Sequence, residues 1–221
     1  MQYLYLHGFA SSPQSRKAQF FANQFAAGGR SPLMIPDLNQ GDFSRLTLTR
    51  QMTYLKSQYL DPSESFTIIG SSLGGLTAAW LGQHCPQVKR IVLLAPAFGF
   101  IHHWRQRLSP AQLATWQQSG WLRVYHYGDR QEKPLAYDFV TDALGYDETQ
   151  LQREVPTLIL HGRQDEVVPV TVSEAYAAER PWVKLQIFNS DHALTDVLPQ
   201  LWQASAEFLG VTGDAFTPLN P

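Results

Sequence analysis

Cysteine is nearly absent: Cys85 is the only one in 221 residues. That excludes a disulfide framework and any zinc site built on several thiolates. Charge is scarce too. Asp, Glu, Lys and Arg together make up 16% of the chain, against roughly 25% in an ordinary globular domain. With 17 basic and 19 acidic residues and no basic cluster, there is no electrostatic footprint for nucleic acid or for an anionic membrane surface. No apolar run approaches the roughly 18 residues of a membrane span. Met1 leads straight into a strand-like run without the basic flank of a signal peptide. These absences lead us to expect a soluble, cytoplasmic protein that acts on a small molecule. They do not set its oligomeric state.

Apolar residues, at 44%, are sufficient for a core, and the length suits one α/β domain over about residues 1–210 with a loose tail over 211–221. Six short apolar runs, at 3–6, 33–35, 66–69, 91–94, 157–160 and 184–188, alternate with helical patterns. Continuous rather than alternating apolarity is expected of strands buried on both faces, so the runs predict a mostly parallel sheet with helices on both sides. A helix is expected over 13–27, capped by Ser12, opened by Pro13 and stopped by Gly28-Gly29, with Ala18, Phe21, Ala22 and Phe25 on one face. A second is expected over 44–60, burying Leu48, Met52, Leu55 and Tyr59, and a third from Gly74 to His84. Later ones fall at 171–179 and 199–209, the last opened by Pro199.

One stretch breaks this rhythm. From Ala95 to Val155 no strand signal stands out, while Phe98, Phe100, Trp104, Trp116, Trp121, Tyr125, Tyr127, Tyr137 and Phe139 crowd together. Helix starts are expected at Ser109-Pro110 and near Pro134. So long a connection is either an excursion that packs its aromatics on the core or a functional cap. The second reading makes 97–154 a lid-like insertion that walls a substrate pocket, with Trp104, Trp116 and Trp121 as contacts for an acyl or aromatic group.

Gly70-Ser71-Ser72-Leu73-Gly74 is a G-x-S-x-G sequence between a strand run and a helix. The turn from strand to helix is sharp enough to strain the serine backbone, and the positions two before and two after it must lack side chains. Only Ser72 has glycine at both, so Ser72 rather than Ser71 is the candidate nucleophile. A serine hydroxyl needs a histidine to take its proton and a carboxylate to orient that histidine. Two further loops supply them. The run 157–160 is followed by HGRQDEVVP at 161–169, and the run 184–188 by NSDH at 189–192. Loops after the strands of a parallel sheet open on one edge, so Ser72, Asp165 and His192 would converge there.

Each role has rivals. Asp191 adjoins His192, but neighbouring side chains seldom orient one another; Glu166 adjoins Asp165. His7 and His161 each precede a glycine at a strand end and read as loop-structuring groups. His102, His103 and His126 lack carboxylate or thiol neighbours at ligand spacing, so no metal is expected. Nothing near Cys85 in sequence would lower its pKa.

On these motifs, the strand–GSSLGG–helix context and the order Ser, Asp, His, the chain resembles the α/β hydrolases over about residues 1–210. The YLYLHGFASSP opening together with GSSLGG is similar to the small bacterial esterases of the YqiA type. The resemblance implies a compact α/β-hydrolase fold without the first two antiparallel strands, its sheet having about six strands in the order 2-1-3-4-5-6. It casts Ser72 as nucleophile, Asp165 as acid and His192 as base. The backbone N–H groups of Phe9 and Leu73 would form the oxyanion hole. The implied reaction is hydrolysis of a carboxylic ester or thioester through an acyl-enzyme, without a metal or organic cofactor. Amide or peptide hydrolysis, lyase chemistry, or ligand binding without turnover on the same fold are the alternatives.

Overall fold

The six apolar runs pair into one parallel sheet. In the computed structural model, which describes residues 1–28 and 31–211, the chain runs β1 (Gln2–Leu6), α1 (Arg16–Ala27), β2 (Leu33–Met34), α2 (Leu48–Gln58), β3 (Phe66–Ser71), α3 (Leu73–His84), β4 (Val88–Leu94), α4 (Phe100–Arg107), α5 (Pro110–Ser119), β5 (Trp121–His126), β6 (Gln131–Ala136), α6 (Asp138–Leu144), β7 (Thr157–Gly162), α7 (Val170–Ala178), β8 (Val183–Phe188) and α8 (Leu198–Leu209). The sheet order is β2-β1-β3-β4-β7-β8, and every pairing in it is parallel.

Alternate side chains of these strands feed two cores, as the two-residue period of a strand demands. Tyr5, Ile69, Val92, Leu94, Leu158 and Leu160 pack under α1 and α8, where Phe21 and Phe25 meet Trp202. Leu4, Leu6, Ile68, Leu93 and Ile159 face the other way, toward α2 and α3. The α/β sandwich follows from strands that are apolar on both faces.

Helix starts differ from expectation where a local side chain competes for the cap. Ser15, not Ser12, caps α1, accepting from the Ala18 N–H; Ser12 Oγ instead accepts from the Gln14 N–H in the preceding turn. Gly28 ends that helix as expected, while Gly29 lies outside the described residues. The expected 44–60 helix is split. A 3-10 turn at Phe43–Arg45 comes first, and Thr47 then caps α2 by accepting from the Arg50 N–H. Of the tail, only Val211 is described.

The aromatic stretch holds a correction. Trp121–His126 and Gln131–Ala136 form a separate antiparallel ribbon where no strand was expected. Pro134 lies within β6 rather than at a helix start, and α6 begins four residues later at Asp138. A two-stranded ribbon leaves every strand an edge, so a missing proline N–H is tolerated. The ribbon's tip leans on two loops: the Gly128 N–H donates to the Ala10 carbonyl after β1 at 3.3 Å, and His126 packs edge-on against Phe43 in the 3-10 turn before α2.

Candidate active site

The site is built where β1, β3, β7 and β8 end on the same edge of the sheet. At the end of β3 the chain turns into α3 through Ser72, whose φ of 53° and ψ of −118° lie in the left-handed half of the map that side chains seldom occupy. The glycines around it show why. A Cβ on Gly70 would run into the Gly74 carbonyl, and one on Gly74 would run into the carbonyls of Leu6 and His7. The turn is held by the Ser72 N–H donating to the Leu94 carbonyl at 2.9 Å, and by the Ser72 carbonyl accepting from Gly75, Leu76 and Ala97. Ser72 is left half-buried, with its hydroxyl at the head of the turn.

His192 and Asp165 stand in line with it. His192 Nε2 is 3.1 Å from Ser72 Oγ, and His192 Nδ1 is 2.7 Å from Asp165 Oδ2. A carboxylate only accepts, so Nδ1 carries the proton and Nε2 presents its lone pair to the serine hydroxyl. The Asp165 side chain is completely buried, whereas that of His192 is 22% exposed. Burial alone would raise the Asp165 carboxyl. Hydrogen bonds from His161 and His192, the charge of His192 and the Val168 N–H override it and hold the group well below the usual carboxylate range.

The loop after β1 closes the other side. A Cβ on Gly8 would stand 3.3 Å from that of Ser72, so this backbone passes in contact with the serine. Among the described residues, neither the Phe9 N–H nor the Leu73 N–H has a hydrogen-bond partner. Leu73 is the first residue of α3, where the helix itself offers no acceptor. The Phe9 ring is seated among Phe43, Phe100, Trp104 and Phe139. His7 Nε2 accepts from the Leu38 N–H at 3.0 Å and ties this loop to the one after β2.

The rivals lie elsewhere. Asp191 is exposed and spends one carboxylate oxygen on the N–H groups of Ala193 and Leu194, capping the turn after His192. Glu166 is exposed. Cys85 sits beyond the far end of α3, and burial pushes its thiol up, away from the thiolate. Among the described residues no group of three His, Cys, Asp or Glu side chains is placed to hold a metal ion.

The three tryptophans divide. Trp104 is half-buried and packs edge-on against Phe9. Trp116 is fully buried, its indole N–H donating to the Leu135 carbonyl, and offers no surface to a ligand. Trp121 is 47% exposed on the outer face of the ribbon. A cavity of about 410 Å³ lies instead between α2, α3, α4 and α6. Leu73 lines it together with Leu48, Leu76, Phe100, Ile101 and Leu144, while His102, Tyr146, Asp147, Glu148 and Thr149 add polar groups. Both Glu148 oxygens accept from the Gly99 N–H, at 2.9 and 3.1 Å, and burial pushes the carboxyl up to about 7. No periodicity in the sequence marks this wall, because its members come from four separate elements. Lys17 on α1 is a second group the sequence did not single out. Burial draws its ammonium down to about 8, with Asp165 and Asp191 opposing.

Comparison with known proteins fits this architecture. Residues 2–209 match the family described as "Uncharacterised protein family (UPF0227)". The chain belongs to that family. This UPF0227 member has the α/β-hydrolase fold. It is similar to Est1E from Butyrivibrio proteoclasticus, solved with ferulic acid bound, with a TM-score of 0.75 at 19% identity over 95% of this chain and 89% of that one. It is also similar to mouse alpha/beta hydrolase domain-containing protein 10, with a TM-score of 0.71 at 17% identity over 96% and 90%. The monoacylglycerol lipase of Paleococcus ferrophilus aligns with a TM-score of 0.68 at 13% identity over 96% and 95%. Among the described residues no helix is long and apolar enough to cross a membrane.

Proposed function

We propose that this protein is a serine hydrolase that cleaves a carboxylic ester or thioester through an acyl-enzyme. The observation that carries the reading is the unbroken line from Ser72 Oγ through His192 to the buried Asp165, starting at a strained turn. In this mechanism Ser72 attacks the carbonyl carbon while His192 Nε2 takes its proton. Asp165 holds the ring and stabilises the imidazolium. The unpartnered N–H groups of Phe9 and Leu73 bind the oxyanion, and the N-terminal end of α3 adds a favourable dipole. His192 then returns the proton to the leaving group and activates the water that frees the acid. The protein's own residues account for every proton transfer.

The cavity that Leu73, the neighbour of Ser72, helps to line takes the acyl portion. Its apolar residues, with Asp147 and Glu148 beside them, favour an aliphatic or aromatic acyl group over an anionic one. The words esterase and lipase in the names of structural neighbours are in keeping with this choice of chemistry. The segment 97–154 supplies α4 and α6, hence Phe100, Ile101 and Leu144, and so acts as the cover of that cavity. A panel of nitrophenyl esters, acyl thioesters and anilides tests the reading. Esters or thioesters should turn over and anilides should lag far behind. Anilide turnover matching that of the esters would replace it with an amidase.

A further inference from the structure

We propose that His161 is a positioning residue for the Asp165–His192 pair, an inference that rests on the hydrolase reading of this site. The His161 ring is entirely buried at the end of β7. Its Nε2 lies 3.0 Å from the Val168 carbonyl and 3.1 Å from Asp165 Oδ2. A carbonyl only accepts, so Nε2 bears a proton, and that N–H is shared between the two oxygens. The other edge of the ring is fixed by Ser173 of α7, fully buried, with Oγ 2.8 Å from Nδ1. The ring is therefore clamped between a strand end and a helix.

This makes Asp165 Oδ2 the common acceptor of two imidazole N–H groups, those of His161 and His192. Oδ1 is used as well, accepting from the Val167 and Val168 N–H groups at 2.8 and 2.7 Å. Four donors on two oxygens leave the carboxylate no freedom to rotate. The backbone frame is equally tight. The Arg163 N–H donates to the Phe188 carbonyl at 2.8 Å and the Gln164 N–H to the Ser190 carbonyl at 2.9 Å, binding the loop of Asp165 to that of His192. A Cβ on Gly162 would collide with the carbonyls of Ser190 and Asp191 at that seam.

Two consequences follow. The carboxylate is held with one oxygen aimed at His192 Nδ1, which fixes the tautomer that leaves Nε2 free for the serine proton. His161 also draws on part of the charge of Oδ2. Without it more of that charge falls on the His192 Nδ1–H, and the hydrogen bond between the two tightens. The other charged groups around the pair, Lys17 of α1, Asp191 and the exposed Arg163 and Glu166, stay in place in the variants below.

The test combines ester kinetics with the nuclear magnetic resonance signal of the His192 Nδ1–H proton in wild type, His161→Leu and His161→Gln, each checked by thermal melting. His161→Leu should lower kcat by about 10–100-fold, the scale at which partners orienting a metal's ligands act, with KM little changed. The His192 Nδ1–H proton resonance should move further downfield, because Oδ2 is left to a single imidazole donor. Gln places an amide N–H near the lost Nε2 and should recover most of both. Ser173→Val should move both values the same way by less, and it serves if His161→Leu does not fold. A folded His161→Leu with wild-type kcat and proton resonance overturns the assignment, as does a Gln variant no better than Leu. If the resonance moves but wild type turns over no ester, the hydrolase reading fails and the positioning role stands.

Discussion

Asp165 reaches His192 across 27 residues of sequence, Oδ2 lying 2.7 Å from Nδ1, while Asp191, next to His192 in sequence, turns its carboxylate to the backbone of Ala193 and Leu194. The parallel sheet brings the loops after β7 and β8 together, so distance along the chain is a poor guide to which carboxylate orients the imidazole.

Asp165→Asn should therefore reduce kcat by roughly 10⁴, because an amide N–H facing Nδ1 favours the wrong imidazole tautomer. Asp191→Asn and Glu166→Gln should stay within about threefold of wild type. Steady-state kinetics on the three purified variants decides the matter. A crippled Asp191→Asn would reassign the acid.

Trp116 and Trp121 should separate by stability. Trp116 is fully buried with its indole N–H bonded to the Leu135 carbonyl, so Trp116→Ala should cost about 3–5 kcal/mol. Trp121 is 47% exposed, and Trp121→Ala should change stability by less than about 0.5 kcal/mol and leave kcat and KM alone. Urea unfolding of both measures this. A large loss at Trp121 would mean that its face of the ribbon is covered in solution.

Much of this architecture could be read from residues with local signatures. The strained turn at Ser72 needs glycine at 70 and 74, and those glycines are visible in the chain. Asp165 and His192 follow apolar runs, and parallel pairing carries both to one edge. The ribbon was illegible for a physical reason. β5 does alternate, with Trp121, Arg123 and Tyr125 outward and Leu122 and Val124 inward, but its outward face is aromatic and masks the polar–apolar pattern. The cavity wall and the His161 clamp depend on side chains from separate elements, and a linear pattern carries no trace of such meetings.

Cavity filling should alter acyl preference. Leu144 is 44% exposed at the wall, so Leu144→Trp adds bulk without disturbing the core. Acetyl esters should keep kcat/KM within about twofold, while octanoyl esters lose about tenfold, mainly through KM. An unchanged acyl profile would place the acyl group elsewhere.

Glu148 should make stability fall as pH rises. Its carboxyl is pushed up to about 7 in the folded protein from an ordinary value of 4.5. The native state thus holds the proton more tightly than the unfolded one. The contribution is fully present below about pH 4.5 and is lost as pH rises through about 7. Glu148→Gln should remove this dependence and stabilise the protein at pH 8 relative to wild type by on the order of 2 kcal/mol, with little difference near pH 4. Denaturant midpoints at the two pH values report it. Parallel pH profiles of the two proteins would contradict the assignment.

The central claim is that the Ser72 hydroxyl is a nucleophile activated by His192. Its most direct measurement is labelling with a fluorophosphonate, followed by mass spectrometry of the peptide that carries the adduct. The account predicts one adduct per chain, on Ser72, strongly slowed labelling in His192→Ala, and no adduct in Ser72→Ala. An adduct on another residue, or a wild-type protein that takes no label while folded, would contradict it.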